Sequence, residues 1–237
     1  MTAANNAAPL AGQTPGLWAQ CRAPVLLTIV GGAIDTIGFI ALLGFFTAHV
    51  TGNLVLAGAA FVKGGAGLWI KLGAIPLFIA TVMMTKMWID RCSPSSKTLG
   101  WLFVAEALFL SGFMVAGLQL QPFRDPNAGA LALTGGLGLM ALAIRNTASK
   151  TLIKHISPST MMTGNTTQLG IDLSNYLRQP GREQGQALLK SGSVVGGFVL
   201  GAFLGAVLYM HFGFWSVLPF MLAVLYLASL SFRRQFI

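Results

Sequence analysis

The chain has 237 residues, of which 54% are hydrophobic and only 9% charged, and its mean hydropathy is +0.71. A soluble domain carries roughly a quarter charged residues, so this chain cannot clothe a water-facing surface and reads as an integral membrane protein. The formal charge of +9 does not mark a nucleic-acid-binding domain, because the basic residues lie between apolar runs and not in one patch.

Residues 1 to 21 hold no Lys or Arg, so the positive start of a secretory signal is missing. Residues 1–16 are rich in Ala, Asn, Pro, Gly and Thr and read as disordered. Beyond the tail, six apolar runs are long enough for a bilayer crossing, which takes about 20 helical residues. They are 24–46, 68–89, 98–119, 128–149, 187–209 and 213–232. Two segments, 47–62 and 158–177, are ambiguous: each is either a further span or a broken, re-entrant piece. Cytoplasmic loops carry the excess of Lys and Arg. With six spans, all basic residues but Lys63, Lys71 and Arg124 fall on one side; with eight, the split is nine against six. Six spans are therefore expected, with both termini cytoplasmic and a bacterial inner membrane as the default location. Cys21 and Cys92 are too few and too poorly spaced for a disulfide framework or a zinc site, and neither metal nor cofactor is expected.

The segment TAHVTGNLVLAG (47–58) aligns with STMMTGNTTQLG (159–170), matching Thr51-Gly52-Asn53 to Thr163-Gly164-Asn165 and Gly58 to Gly170. Upstream, AIDT (33–36) aligns with IRNT (144–147), pairing Asp35 with Asn146 and Thr36 with Thr147 once one residue is inserted. Three full spans per half is an odd number, so the halves have opposite orientations. Inverted repeats with broken segments are a recurring transporter design. The expected organisation is a tail at 1–21, a first repeat at 22–124 and a second at 125–237, all α-helical. The paired TGN segments, the GxxD of Gly32 to Asp35 and the overall size resemble the YoaK-like family of bacterial membrane proteins. The resemblance implies a polytopic inner-membrane protein and brings no established substrate or site residues.

Irregular backbone at membrane depth is tolerated only where protein or a water-filled cavity satisfies its polar groups. A short helix is predicted to start after each TGN glycine, with its free N–H groups pointing to the protein centre. The candidate substrate site therefore comprises Asp35, Thr51, Gly52, Asn53, Arg145, Asn146, Thr163, Gly164 and Asn165. The structural alternative is that these Thr and Asn residues cap helices and hold the halves together. An acid near the middle of a span costs about 2.5–3.5 kcal/mol to insert, so Asp35 needs a partner, and Arg145 is the best one by repeat symmetry. Asp35, His49 and Glu106 are the candidates for carrying a proton, with structural hydrogen bonding as the alternative for each. Gly197, Gly201 and Gly205 share one helix face, suited to close packing within the monomer or to a homodimer.

The expected function is a small-solute carrier, not an enzyme, with a midplane site, a proton or cation coupled through Asp35 and a weak preference for anions. A membrane scaffold or sensor is the second reading. An intramembrane enzyme comes third, because no HExxH, GxSxG or phosphate-binding loop occurs.

Overall fold

The computed structural model describes residues 17–153 and 160–234. The predicted disordered tail at 1–16 and the start of the 158–177 segment lie outside the described residues. Within them the chain is all-helical: α1 (Leu17–Ala41), α2 (Val50–Lys63), α3 (Leu68–Cys92), α4 (Ser96–Leu120), α5 (Gly129–Thr151), α6 (Met162–Arg178), α7 (Arg182–Phe212) and α8 (Val217–Phe232). One 3-10 turn, Gly213–Ser216, joins α7 to α8.

The ends of the helices follow local chemistry. Ser95 caps α4 by accepting the Thr98 N–H at 3.1 Å. After α1, Leu43 and Gly44 both adopt left-handed backbone, with φ of 53° and 84°. The glycine takes that conformation without Cβ strain, and the chain folds back toward α1. Thr47 Oγ1 then donates to the Ile34 carbonyl at 3.2 Å, two turns before the helix end.

Close contacts give the direction of each helix. A Cβ on Gly197 would lie 2.5 Å from Thr28 Oγ1, one on Gly201 2.1 Å from the Ile29 carbonyl oxygen, and one on Gly205 2.7 Å from Ala33 backbone. The numbers rise together, so α1 and α7 run parallel with their backbones touching. The small face predicted on α7 is thus used inside the monomer. α5 runs the other way. Its Gly135 lies against Leu42 and Phe45, beyond the end of α1, whereas Arg145, further along, donates Nη1–H to the Leu27 carbonyl at 2.8 Å. α4 and α8 are also antiparallel: Phe232 covers Gly100, Ser111 bonds to Met221 and Phe214 covers Gly117.

α4 packs on α5 and α8, α3 on α5, α2 on α3, α6 on α7, and α1 on α7, α8 and α5. Exchanging α1–α4 for α5–α8 converts this set of contacts into itself. At one end of the bundle the α2–α3 link meets the α4–α5 link, where Gly67 N–H donates to Asn127 Oδ1 at 3.1 Å. At the other end, the start of α4, the end of α5 and Arg234 surround a small cleft.

Five stretches are long and apolar enough to cross a bilayer: Arg22–Ala41, Leu68–Cys92, Ser96–Leu120, Gly129–Thr151 and Arg182–Phe232. The last, of 51 residues, includes both α7 and α8. The outer surface carries Leu108, Phe203 and Met210 at 68%, 70% and 79% exposure. Such a surface is unfavourable in water and suits lipid. Aliphatic and aromatic side chains fill the centre, where Leu27, Ile34, Leu110, Phe113, Leu139 and Phe214 are fully enclosed.

Candidate functional site

Asp35 is buried in the last two turns of α1, and the returning chain closes over it. Its Oδ1 accepts the Ala48 N–H at 2.6 Å, with the His49 N–H and the Thr47 hydroxyl at 3.4 Å. Its Oδ2 lies 2.6 Å from His49 Nδ1. The histidine side chain is 34% exposed and that of Asp35 only 5%, so the imidazole stands between the carboxylate and the open space beyond. Phe46 and Phe198 flank the ring, with centroids 5.7 and 5.8 Å away. Asn53 fixes the turn from behind: its Nδ2 donates to the Phe46 carbonyl at 2.8 Å and its Oδ1 accepts the Phe46 N–H at 2.9 Å.

The segment before α6 has the same backbone shape at the matching position. Met161 has φ −94° and ψ 66°, against −85° and 70° at His49. The Asn53 N–H reaches the His49 carbonyl at 3.2 Å and the Asn165 N–H reaches the Met161 carbonyl at 3.4 Å. Where Asp35 holds the first turn by charge, Asn146 Oδ1 accepts from Thr160 Oγ1 in the second. The helices start at Val50 and Met162, not after the glycines. The TGN triplets therefore form the first turns of α2 and α6, and the break lies ahead of them. Neither His49 nor Met161 caps its helix with its own side chain; at α2 the Val50 N–H donates to the Ala48 carbonyl at 3.1 Å and Asp35 takes the N–H groups just ahead.

Between the two turns lies a cavity of about 650 Å³. Ala48, His49, Val50 and Thr51 line it from one turn, and Thr160, Met161, Met162, Thr163 and Gly164 from the other. α3 adds Phe78, Val82 and Lys86, and α5 adds Asn146, Thr147, Lys150 and Thr151. The volume suits a small organic molecule. The cavity reaches the ends of α3 and α5 that carry Lys86 and Lys150. Toward the Asn127 end the bundle is closed, where Phe45 packs on Gly135 and Thr47 on Gly138.

Of the residues read from the sequence, Thr51, Asn146, Thr163, Gly164 and His49 line the cavity, and Asp35 sits one hydrogen bond behind it. Gly52, Asn53 and Asn165 belong to the same turns but not to its wall; Asn53 and Asn165 are buried, and Gly52 packs on Phe46. Arg145 is elsewhere. It is fully buried and ion-paired with the fully buried Glu106, so the expected Asp35–Arg145 pair is replaced by Asp35–His49 and Glu106–Arg145. With the Leu27 carbonyl, the second pair ties α1, α4 and α5 together. Lys86, Lys150, Thr160 and the apolar wall at Phe78 and Met162 were not among the sequence candidates. Thr147 was within reach, since the repeat alignment pairs it with Thr36.

The all-helical described residues, their exposed apolar surface and the crossing-length helices define a transmembrane protein. The chain belongs to the DUF1275 family, described as proteins of unknown function, which it matches over residues 23–230. It is 31% identical over 154 residues to the UPF0700 transmembrane protein YoaK of Bacillus subtilis (strain 168). That match covers 64% of this chain and 66% of the relative, just under two thirds of its length. No solved structure matches the chain.

Proposed function

We propose that the protein is a small-solute transporter built from two inverted three-span halves, with the solute held between the two TGN turns. The observation that carries the reading is the cavity, whose wall comes from matching turns of both halves. Six crossings follow if α7 and α8 are separate spans. α7 alone has 31 residues, about 46 Å of helix, and α8 runs back along α4. The opposite directions of α1 and α5 support the inversion. α2 starts beside the Thr47–Gly138 contact, halfway along α5, and leaves at the end where α1 also ends, as a re-entrant helix does. Lys63, Lys71 and Arg124 belong to that end and the remaining loop cations to the other, which makes the Lys86–Lys150 end cytoplasmic, together with both termini.

In this reading the described form is open to the cytoplasm and sealed toward the outside by Phe45 and Thr47 against α5. Rocking of one half against the other moves the seal to the opposite side. His49 lines the cavity and bonds to the buried Asp35, so in this reading it passes a proton between the carboxylate and the cavity. Protonated, it forms an ion pair with Asp35 and locks the turn to α1; deprotonated, it holds the turn less firmly. Glu106 has no such access and acts as a structural tie.

Uptake into proteoliposomes from a panel of small anions, cations, amino acids and nucleobases tests the proposal. The expected result is saturable uptake of one class, accelerated by a proton gradient, with Asp35→Asn losing the acceleration. Absence of protein-dependent uptake across the panel contradicts it.

A further inference from the structure

We infer that the cavity takes an organic anion with an apolar body, a free carboxylate or sulfonate of modest size. The inference rests on the transport reading and names the ligand class of the same site.

The wall divides by chemistry. Phe78, Met161 and Met162 supply an apolar, adaptable surface, and thioethers make favourable contacts with aromatic rings. All the ionisable side chains on the wall are basic: Lys86, Lys150 and His49. Asp35, behind the wall, is 4% exposed and already bonded to His49 and to the Ala48 N–H. Lys86 shares its charge with Asp90 on the exposed side of α3, whereas Lys150 has no ion-pair partner among the described residues. The start of α6, which has no side-chain cap, adds its positive dipole end to the same space, whereas that of α2 has the Asp35 carboxylate beside its N-cap. A cation entering this cavity meets no acid on the wall and one basic group, Lys150, without an ion-pair partner among the described residues, and a small inorganic anion leaves the Phe78–Met162 wall without a partner. An amphipathic anion satisfies both parts. The volume of about 650 Å³ is of the size used for small-molecule ligands.

Calorimetric titration of the full chain in nanodiscs tests this with four probes: 3-phenylpropanoate, 3-phenylpropan-1-ol, 3-phenylpropylammonium and acetate. The expected result is saturable binding of the carboxylate, at least tenfold tighter than that of the other three. Replacing both lysines (Lys86→Gln with Lys150→Gln) should weaken the carboxylate at least tenfold and leave the alcohol unchanged, which also shows that the variant is folded. Lys86→Arg with Lys150→Arg should restore the affinity. The inference is overturned if the ammonium binds as tightly, if acetate binds as tightly, if the carboxylate gives no saturable heat, or if the double Gln variant binds like the parent. Flux is read separately with 3-phenylpropane-1-sulfonate, a permanent anion that does not cross lipid unaided. Carboxylate binding without sulfonate entry overturns the transport reading and supports the ligand class. Flux of the ammonium in place of the sulfonate overturns the ligand class and supports transport.

Discussion

The turn before α2 and the turn before α6 have one backbone shape and two chemistries. In the first, the buried acid Asp35 holds Ala48 and His49; in the second, the amide of Asn146 holds the Thr160 hydroxyl. Since a neutral amide suffices to anchor the second turn, the shape alone does not demand a charge. An acid at this level costs about 2.5–3.5 kcal/mol to insert. In the proposed transport reading a proton accounts for its presence beside a histidine that lines the cavity, and the matching turn before α6 has neither the acid nor the histidine. The glycine at the start of each helix does not cause the break, because both triplets are already helical.

The most severe way to break the comparison is to disturb the frame on which both turns stand. Glu106→Ala leaves Arg145 charged and fully buried with only the Leu27 carbonyl, and should destabilise the protein by about 3–5 kcal/mol. Gly201→Val drives a side chain into the Ile29 carbonyl and should cost about 3 kcal/mol or more. Reversible unfolding in mixed micelles measures both. Next come the anchors themselves. Asp35→Ala removes a charged acceptor from a backbone N–H and a histidine and should cost about 2–3 kcal/mol, whereas Asn146→Ala removes one neutral bond and should cost about 1 kcal/mol. Equal costs, measured by the same unfolding, would erase the difference between the halves. Asn53→Ala, which frees both the N–H and the carbonyl of Phe46, should cost about 2 kcal/mol. The mildest change is Met161→His. It places an imidazole at the matching position without an acid behind it and should shift stability by less than about 0.5 kcal/mol. It should also leave the pH dependence of transport unchanged, which a pH series of uptake would show.

The fold was legible where composition and periodicity speak directly. Six apolar runs reappear as α1, α3, α4, α5, α7 and α8, and the two ambiguous segments as the short helices α2 and α6. The boundaries moved where turn chemistry decides. The first run stops at Ala41, because Leu43 and Gly44 turn left-handed and Asp35 draws the chain back. The TGN match located both turns, and three of its residues, Thr51, Thr163 and Gly164, line the cavity, together with Asn146 from the upstream alignment and His49, a separate proton candidate. Arg145 was misplaced because repeat symmetry gives the level of a residue along the bundle and not the helix face it occupies. Arg145 immediately precedes Asn146 in α5, and that one step turns its side chain away from the cavity and toward Glu106. Lys86 and Lys150 looked like ordinary cytoplasmic anchors. Only the packing of α3 on α5 brings them to one opening.

Two-sided access to the cavity tests the transporter reading most directly. Thr163→Cys, in a chain with Cys21→Ser and Cys92→Ser, places one thiol on the cavity wall. A membrane-impermeant maleimide is applied to right-side-out and to inverted vesicles, with and without a proton gradient. The expected result is labelling from the cytoplasmic face at rest and a gradient-dependent fraction labelled from the outer face, which Asp35→Asn abolishes. Labelling from the cytoplasmic face alone under every condition would make the cavity a pocket open to one side only and contradict alternating access.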